Sequence, residues 1–148
     1  MADPANRPAG MDEARPKIRR LHPLRVLLAA RDRRFIRVTS FLLERRGYDV
    51  IQENGKAIAE AVIRSRADVV LLEADMSRAS TARTLTALEA LPTPPGVVAI
   101  YSGEGAEHLP GVTSLSKWAP IEELQQRIDA AALERGITAH RHRSQSSH

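Results

Sequence analysis

Apolar residues fall along this chain in two alternating rhythms. Short dense runs predict buried strands, and stretches where apolar residues recur three and four apart predict helices with one covered face. Leu24–Ala29 is the first dense run. From Arg33 to Arg46, Phe35, Val38 and Leu42 keep helical spacing with Phe41 and Leu43 beside them, and Gly47 stands where a helix cap belongs. Tyr48–Gln52 predicts a second strand, and Asn54-Gly55 a turn into a helix bearing Ala57, Ile58, Ala61 and Val62 on one face. Asp68–Glu73 encloses an unbroken apolar run, the pattern of a strand covered on both sides. Leu85, Leu88 and Leu91 mark a helix over Ser80–Leu91 that Pro92 ends. Val97–Tyr101 predicts a fourth strand and Val112–Ser116 a weaker fifth. Pro120 suits the first turn of a last helix, whose buried stripe is Ile121, Leu124, Ile128 and Ala131. Glu122 and Glu123 lie favourably near its positive end.

Strands alternating with helices predict an α/β fold: a doubly wound, parallel, five-stranded sheet with helices on both faces. The functional crevice of such a sheet lies beyond the carboxyl ends of its strands. Residues 1–23, with four prolines and mixed charge, read as a disordered leader; 24–134 form the domain; 135–148 read as a disordered basic tail.

Charge changes the picture only once it is divided. The net charge is +4, but the leader contributes +2 and the tail +3, leaving 24–134 at −1. A nucleic-acid-binding domain would concentrate positive charge on its folded surface, so nucleic acid is not the expected partner. The local exception is the cluster Arg31, Arg33, Arg34, Arg37, Arg45 and Arg46, read first as a solvated helix face. With no cysteine, disulfides and thiolate chemistry are excluded. No apolar run is long enough to span a bilayer, and the first residues carry no secretory pattern, so a cytoplasmic protein is expected. The five histidines do not pair with carboxylates at metal-ligand spacing, and His140 and His142 read as part of a solvated tail. Ser77, Ser80 and Thr81 lack a nearby His/Asp set, and Gly103-Glu104-Gly105 lacks the lysine and hydroxyl of a phosphate loop.

The strand ending at Glu73, Lys117 near the end of the fifth strand, and the stretch Leu42-Leu43-Glu44-Arg45-Arg46-Gly47-Tyr48-Asp49-Val50 together resemble the receiver domains of two-component response regulators. The resemblance spans about Leu24 to Leu133. It implies that Glu73 occupies the place of the phosphate-accepting aspartate. Ala30 and Arg31 stand where the family has two acids that position a divalent cation, and Asp32 follows one residue too late. A hard cation needs oxygen ligands, so Arg31 disfavours metal both by a lost ligand and by repulsion. Tyr101 takes the family's hydroxyl position, with Ser102 as the one-residue alternative, and Ser114 the aromatic switch position. Lys117 is retained, and Trp118 replaces the proline that normally follows it. The short connection from Tyr101 to Lys117 implies a fourth helix reduced to a stub around Glu104–Leu109, or missing.

These departures imply a receiver fold without phosphotransfer: not an enzyme, with no cofactor and no divalent metal. Two readings of the pocket stand. Arg31 and Lys117 flank Glu73 in an internal ion cluster, or each charge reaches separately to water. The expected function is a pseudo-receiver acting through protein partners in bacterial signalling or regulation, as adaptor, sequestering subunit or homodimer. Trp118 is read first as core packing, with a partner anchor as the alternative that makes it a candidate interface residue. Two other classes remain: a nucleic-acid accessory factor using the tails and first-helix arginines, and a sensor in which Arg31, Lys117 and Ser102 capture a small phosphate-bearing anion.

Overall fold

The computed structural model describes residues 23–53, 57–74, 78–102 and 112–146, the side chains of 78 and 136–146 excepted. Five strands, β1 (Arg25–Ala29), β2 (Asp49–Glu53), β3 (Val69–Glu73), β4 (Gly96–Tyr101) and β5 (Thr113–Ser116), pair in parallel in the order β2-β1-β3-β4-β5. Among the described residues three helices connect them, α1 (Arg33–Arg45), α2 (Ile58–Ser65) and α3 (Arg78–Glu89), and α4 (Ile121–Ser146) follows β5. The order reverses at β1, which places a crevice between the carboxyl ends of β1 and β3, as the alternating pattern predicts.

The period of two along each strand decides which helices each residue meets. In β3, Val69 and Leu71 join a core with Phe35, Leu43, Leu124 and Ile128, under α1 and α4. Val70 and Leu72 point the other way, toward Ile58, Ala61, Val62 and Leu88 of α2 and α3. All five residues of β3 are buried, so the apolar run reports two-sided cover. By the same parity Glu73 belongs to the α1/α4 face.

The first helix ends as its sequence requires. Gly47 adopts φ +93°. Its N–H donates to Glu44 O and that of Tyr48 to Leu43 O, the reciprocal pair that closes a helix on a left-handed glycine. At the last helix Pro120 stands one residue earlier than expected. It precedes the first helical residue, and its carbonyl accepts from the N–H groups of Glu123 and Leu124. Leu124, Ile128 and Ala131 are buried, and Ile121 packs against them.

Where the sequence placed a basic tail, the backbone of α4 continues as helix through Gly136 to Ser146. No proline interrupts this stretch, and arginine, glutamine and alanine propagate a helix already begun. Ala57 departs from the expected apolar face. It is exposed and left-handed (φ +54°), just before α2 begins. The leader up to residue 22, the Asn54-Gly55 turn, Ser77 and the stub around Glu104–Leu109 lie outside the described residues. None of the described helices is long and apolar enough to cross a membrane.

Candidate functional site

The site lies where β1 and β3 end and the chain leaves β5. Its centre is Glu73, the last residue of β3, only 8% exposed. A carboxylate at this depth needs partners for both oxygens. One oxygen accepts the backbone N–H of Arg31 at 2.6 Å and, more weakly, that of Asp32 at 3.4 Å. The other meets the Lys117 ammonium at 2.6 Å.

Lys117 is held from several directions. Its backbone N–H donates to Tyr101 O at 2.7 Å, tying the end of β5 to the end of β4. Its side chain, 7% exposed, passes over the Phe35 ring, with the ammonium 5.5 Å from the ring centre. The ammonium also contacts Asp32 at 2.8 Å. Burial pulls the lysine's pKa down, but hydrogen bonds to Asp32 and Glu73 outweigh it and raise the group above its ordinary 10.5.

Asp32 is placed by the start of α1. It is the N-cap, and one carboxylate oxygen accepts from the backbone N–H groups of Arg34 (3.0 Å) and Phe35 (3.3 Å). The other oxygen turns to Lys117. The lysine's hydrogen bond, followed by the Phe35 N–H, holds Asp32 below its ordinary value of 3.8. The arrangement is one buried ammonium between two carboxylates, with two N–H groups completing the bonds to Glu73. Both Glu73 oxygens are engaged. The position between the two carboxylates, where a free cation would be attracted, is taken by a tethered one. Among the described residues no three His, Cys, Asp or Glu side chains converge as a metal site.

The expected cluster of Arg31, Glu73 and Lys117 is therefore corrected in one member. Arg31 does contact Glu73, but through its backbone N–H. Its side chain is exposed and, among the described residues, forms no ion pair. Asp32 takes the charged place assigned to Arg31. The signal was available in the sequence: an aspartate immediately before a helix caps it, and its second oxygen then faces the crevice. Ala30 is buried and contributes packing. Tyr101 is buried at the end of β4, and Ser102 beyond it is exposed. Ser114 is half-buried, and its carbonyl accepts from Arg127 at 3.0 Å. Trp118 is 55% exposed, which settles against core packing. It meets Phe35 edge-on at 5.7 Å, and the Arg34 guanidinium lies 5.8 Å from its ring centre.

A second polar junction, at the opposite end of the strands, gave no sequence motif. Asp68 accepts the Arg25 N–H at 2.8 Å with one oxygen and pairs with Arg135 at 3.1 Å with the other. Arg25 reaches Asp49 and Ser65 O. The junction joins the starts of β1, β2 and β3 to the last residue of α2 and to Arg135 within α4, and its members are too far apart in sequence to form a pattern.

No protein-family model and no curated protein matches the sequence. Solved structures do. A signal receiver domain from Vibrio parahaemolyticus superposes with TM-score 0.66 at 17% identity, over 80% of this chain and 95% of that one. A response regulator receiver domain from Bacillus halodurans gives 0.56 at 21%, over 74% and 97%. The receiver domain of the hybrid histidine kinase CckA gives 0.55 at 24%, over 73% and 98%. At these identities the likeness establishes the receiver fold and leaves the chemistry to the residues.

Proposed function

We propose that this receiver fold works without phosphorylation, as a module that binds protein partners in signalling or regulation. One observation carries the reading: both oxygens of the Glu73 carboxylate are engaged, one by the buried Lys117 ammonium and one by the backbone of Arg31. Each strong donor lowers the nucleophilicity of the oxygen it binds, and attack on a phosphodonor also needs a divalent cation to neutralise the incoming charge. In this crevice the neutralising cation is a side chain, and its second partner is Asp32. The state that phosphorylation would create in a receiver, a charged group bonded to the lysine, is here written into the sequence.

The anion-sensor alternative draws less support, because the Lys117 charge is already balanced by two carboxylates. The nucleic-acid alternative rests on the two basic ends and on first-helix arginines that belong to residues 24–134, whose net charge is −1. The test is incubation of the full chain with acetyl phosphate, or with beryllofluoride, in the presence of Mg²⁺. Intact mass and melting temperature are expected to stay unchanged. A phosphoryl adduct on Glu73, or a Mg²⁺-dependent rise in melting temperature, overturns the reading.

A further inference from the structure

The foot of the sheet, at the far end of β3 from Glu73, has two arginines around an apolar recess. The recess encloses about 410 Å³ between the end of α2 and the bend that follows α3. Small-molecule sites span roughly 300–1,000 Å³. Val62, Ile63, Leu91 and Pro92 form its walls, and its charged lining residues are Arg66 and Arg135. Ile63 is left 60% exposed. Arg135 gives Nη1 to Asp68 at 3.1 Å, and the other oxygen of Asp68 is taken by the Arg25 N–H. The Nε of Arg135 is buried and has no partner among the described residues. The edge formed by Nε and Nη2 is therefore open, and it is one of the edges on which a guanidinium grips an oxyanion with paired N–H groups. Arg66 follows α2 in the left-handed region, at φ +58°, a conformation that glycine adopts more easily. Its side chain is exposed and makes no hydrogen bond or ion pair among the described residues. Arg25 and Arg135 are balanced by Asp49 and Asp68, so Arg66 is the charge at this end without a counter-ion.

We propose that this recess binds a small amphiphile with an apolar body and an oxyanion head, either a carboxylate or a phosphate monoester. The head meets the Nε–Nη2 edge of Arg135 and the guanidinium of Arg66. The body covers Val62, Ile63 and Leu91. Charge complementarity fixes the class of occupant: no acid lines the recess, so a neutral or cationic amphiphile would dehydrate two guanidinium groups and return nothing to them. Inorganic phosphate would leave the apolar walls uncovered. A neighbouring recess of about 460 Å³ shares Arg135 but is also lined by Glu89 and Glu134, which repel an anion. The buried Nε supports the same assignment, because a donor in that position is unfavourable until an acceptor reaches it. The site does not depend on how Glu73 behaves. Asp68 and Glu73 lie on either side of Val69–Leu72, so the recess and the crevice sit at opposite ends of one strand.

The experiment follows the backbone amides of the full chain by NMR during titration with octanoate, octyl phosphate, octanol and octylammonium. Saturable shifts of Val62 to Ala67, Leu91, Thr93 and Arg135 are expected with octanoate, octyl phosphate or both, and the tighter of the two identifies the head group. Octanol and octylammonium are expected to bind roughly tenfold more weakly or not at all, the loss of one charge-assisted contact. Arg66→Gly should weaken both anions by a similar factor while the melting temperature holds or rises, because glycine relieves the left-handed backbone. Arg66→Asn, which also tolerates that backbone, should behave alike and separates lost charge from any change in folding. Arg135→Lys keeps a cation for Asp68 but removes the fork, and weaker binding of both anions is expected. No saturable shift with either anion, octanol bound as tightly as octanoate, or full affinity in the residue 66 variants overturns the proposal. So do shifts centred on Arg31 and Glu73, and so does an acidic helical peptide that moves the recess amides where the octyl anions do not.

Discussion

The two faces of the sheet are made to different standards. Beneath α1 and α4, fifteen of the described residues form one buried core, and both ends of α1 are closed, by the Asp32 cap and the Gly47 turn. Tyr48 and Asp129 add a hydrogen bond of 2.7 Å across this face. Beneath α2 and α3 the corresponding core has nine of the described residues. There α2 begins at a left-handed alanine without a side-chain cap, and the left-handed Arg66 follows its end. The helix α3 is rich in Ser, Thr and Ala, and Leu88 is its main buried apolar residue. Glu73 belongs to the first face by strand parity, so the ionic centre is backed by the better-built half. A buried charge pair needs fixed geometry to repay its desolvation, and the face that supplies that geometry is the one invested in packing.

The largest effect is expected from Lys117→Met. It strands Glu73 with only backbone donors and should cost about 3 kcal/mol in urea unfolding, the lower end for breaking a buried pair. Replacing both partners, Glu73→Leu with Lys117→Met, should recover most of the loss; a double variant no better than the single one would assign the cost to packing instead. Gly96→Ala comes next. A Cβ there would sit 2.5 Å from Ala131 O on the backbone of α4, and overpacking of this kind should cost about 2–3 kcal/mol. A variant as stable as the parent would mean α4 is not seated as tightly as the first face requires.

Smaller, and readable by pH, is Asp32. Its folded pKa is depressed, so the stability it contributes is present above 3.8 and is lost as pH falls through the lower folded value. The acid limb of a stability–pH curve should therefore flatten in Asp32→Asn. Lys117 has the opposite sign: its contribution holds below 10.5 and is lost as pH rises through the raised folded value. The smallest effect should be a gain on the weaker face. Ala57→Gly relieves a left-handed alanine and should add about 0.5–1 kcal/mol, where an equal gain from relaxing the first face is not expected.

Much of the fold was legible because the sheet is covered on both sides. Runs such as that in Asp68–Glu73 have few other solutions, and Gly47 and Pro92 punctuate the helices they end. The pairing of Glu73 with Lys117 was legible from the resemblance. Which group of residue 31 reaches Glu73 was not, since charge in a sequence says nothing about backbone donors. The bond from Asp32 to Lys117 was not foreseen, because position was counted along the strand, whereas the cap of α1 decides where this carboxylate turns. The continuation of α4 was missed because polarity was taken for disorder. The Arg25–Asp68–Arg135 junction left no trace, its members lying 43 and 67 positions apart.

Lys117 stitches together three chain segments that are remote from one another, its partners Glu73 and Asp32 lying 44 and 85 positions away. Such a knot closes only after β1, β3 and β5 have all found their places, when most loop-closure entropy has already been spent. It should be absent from the folding transition state, so Lys117→Met is expected to speed unfolding in stopped-flow measurements and leave the refolding rate nearly untouched. The ammonium would then act as a latch on the finished domain, setting how long it persists once made.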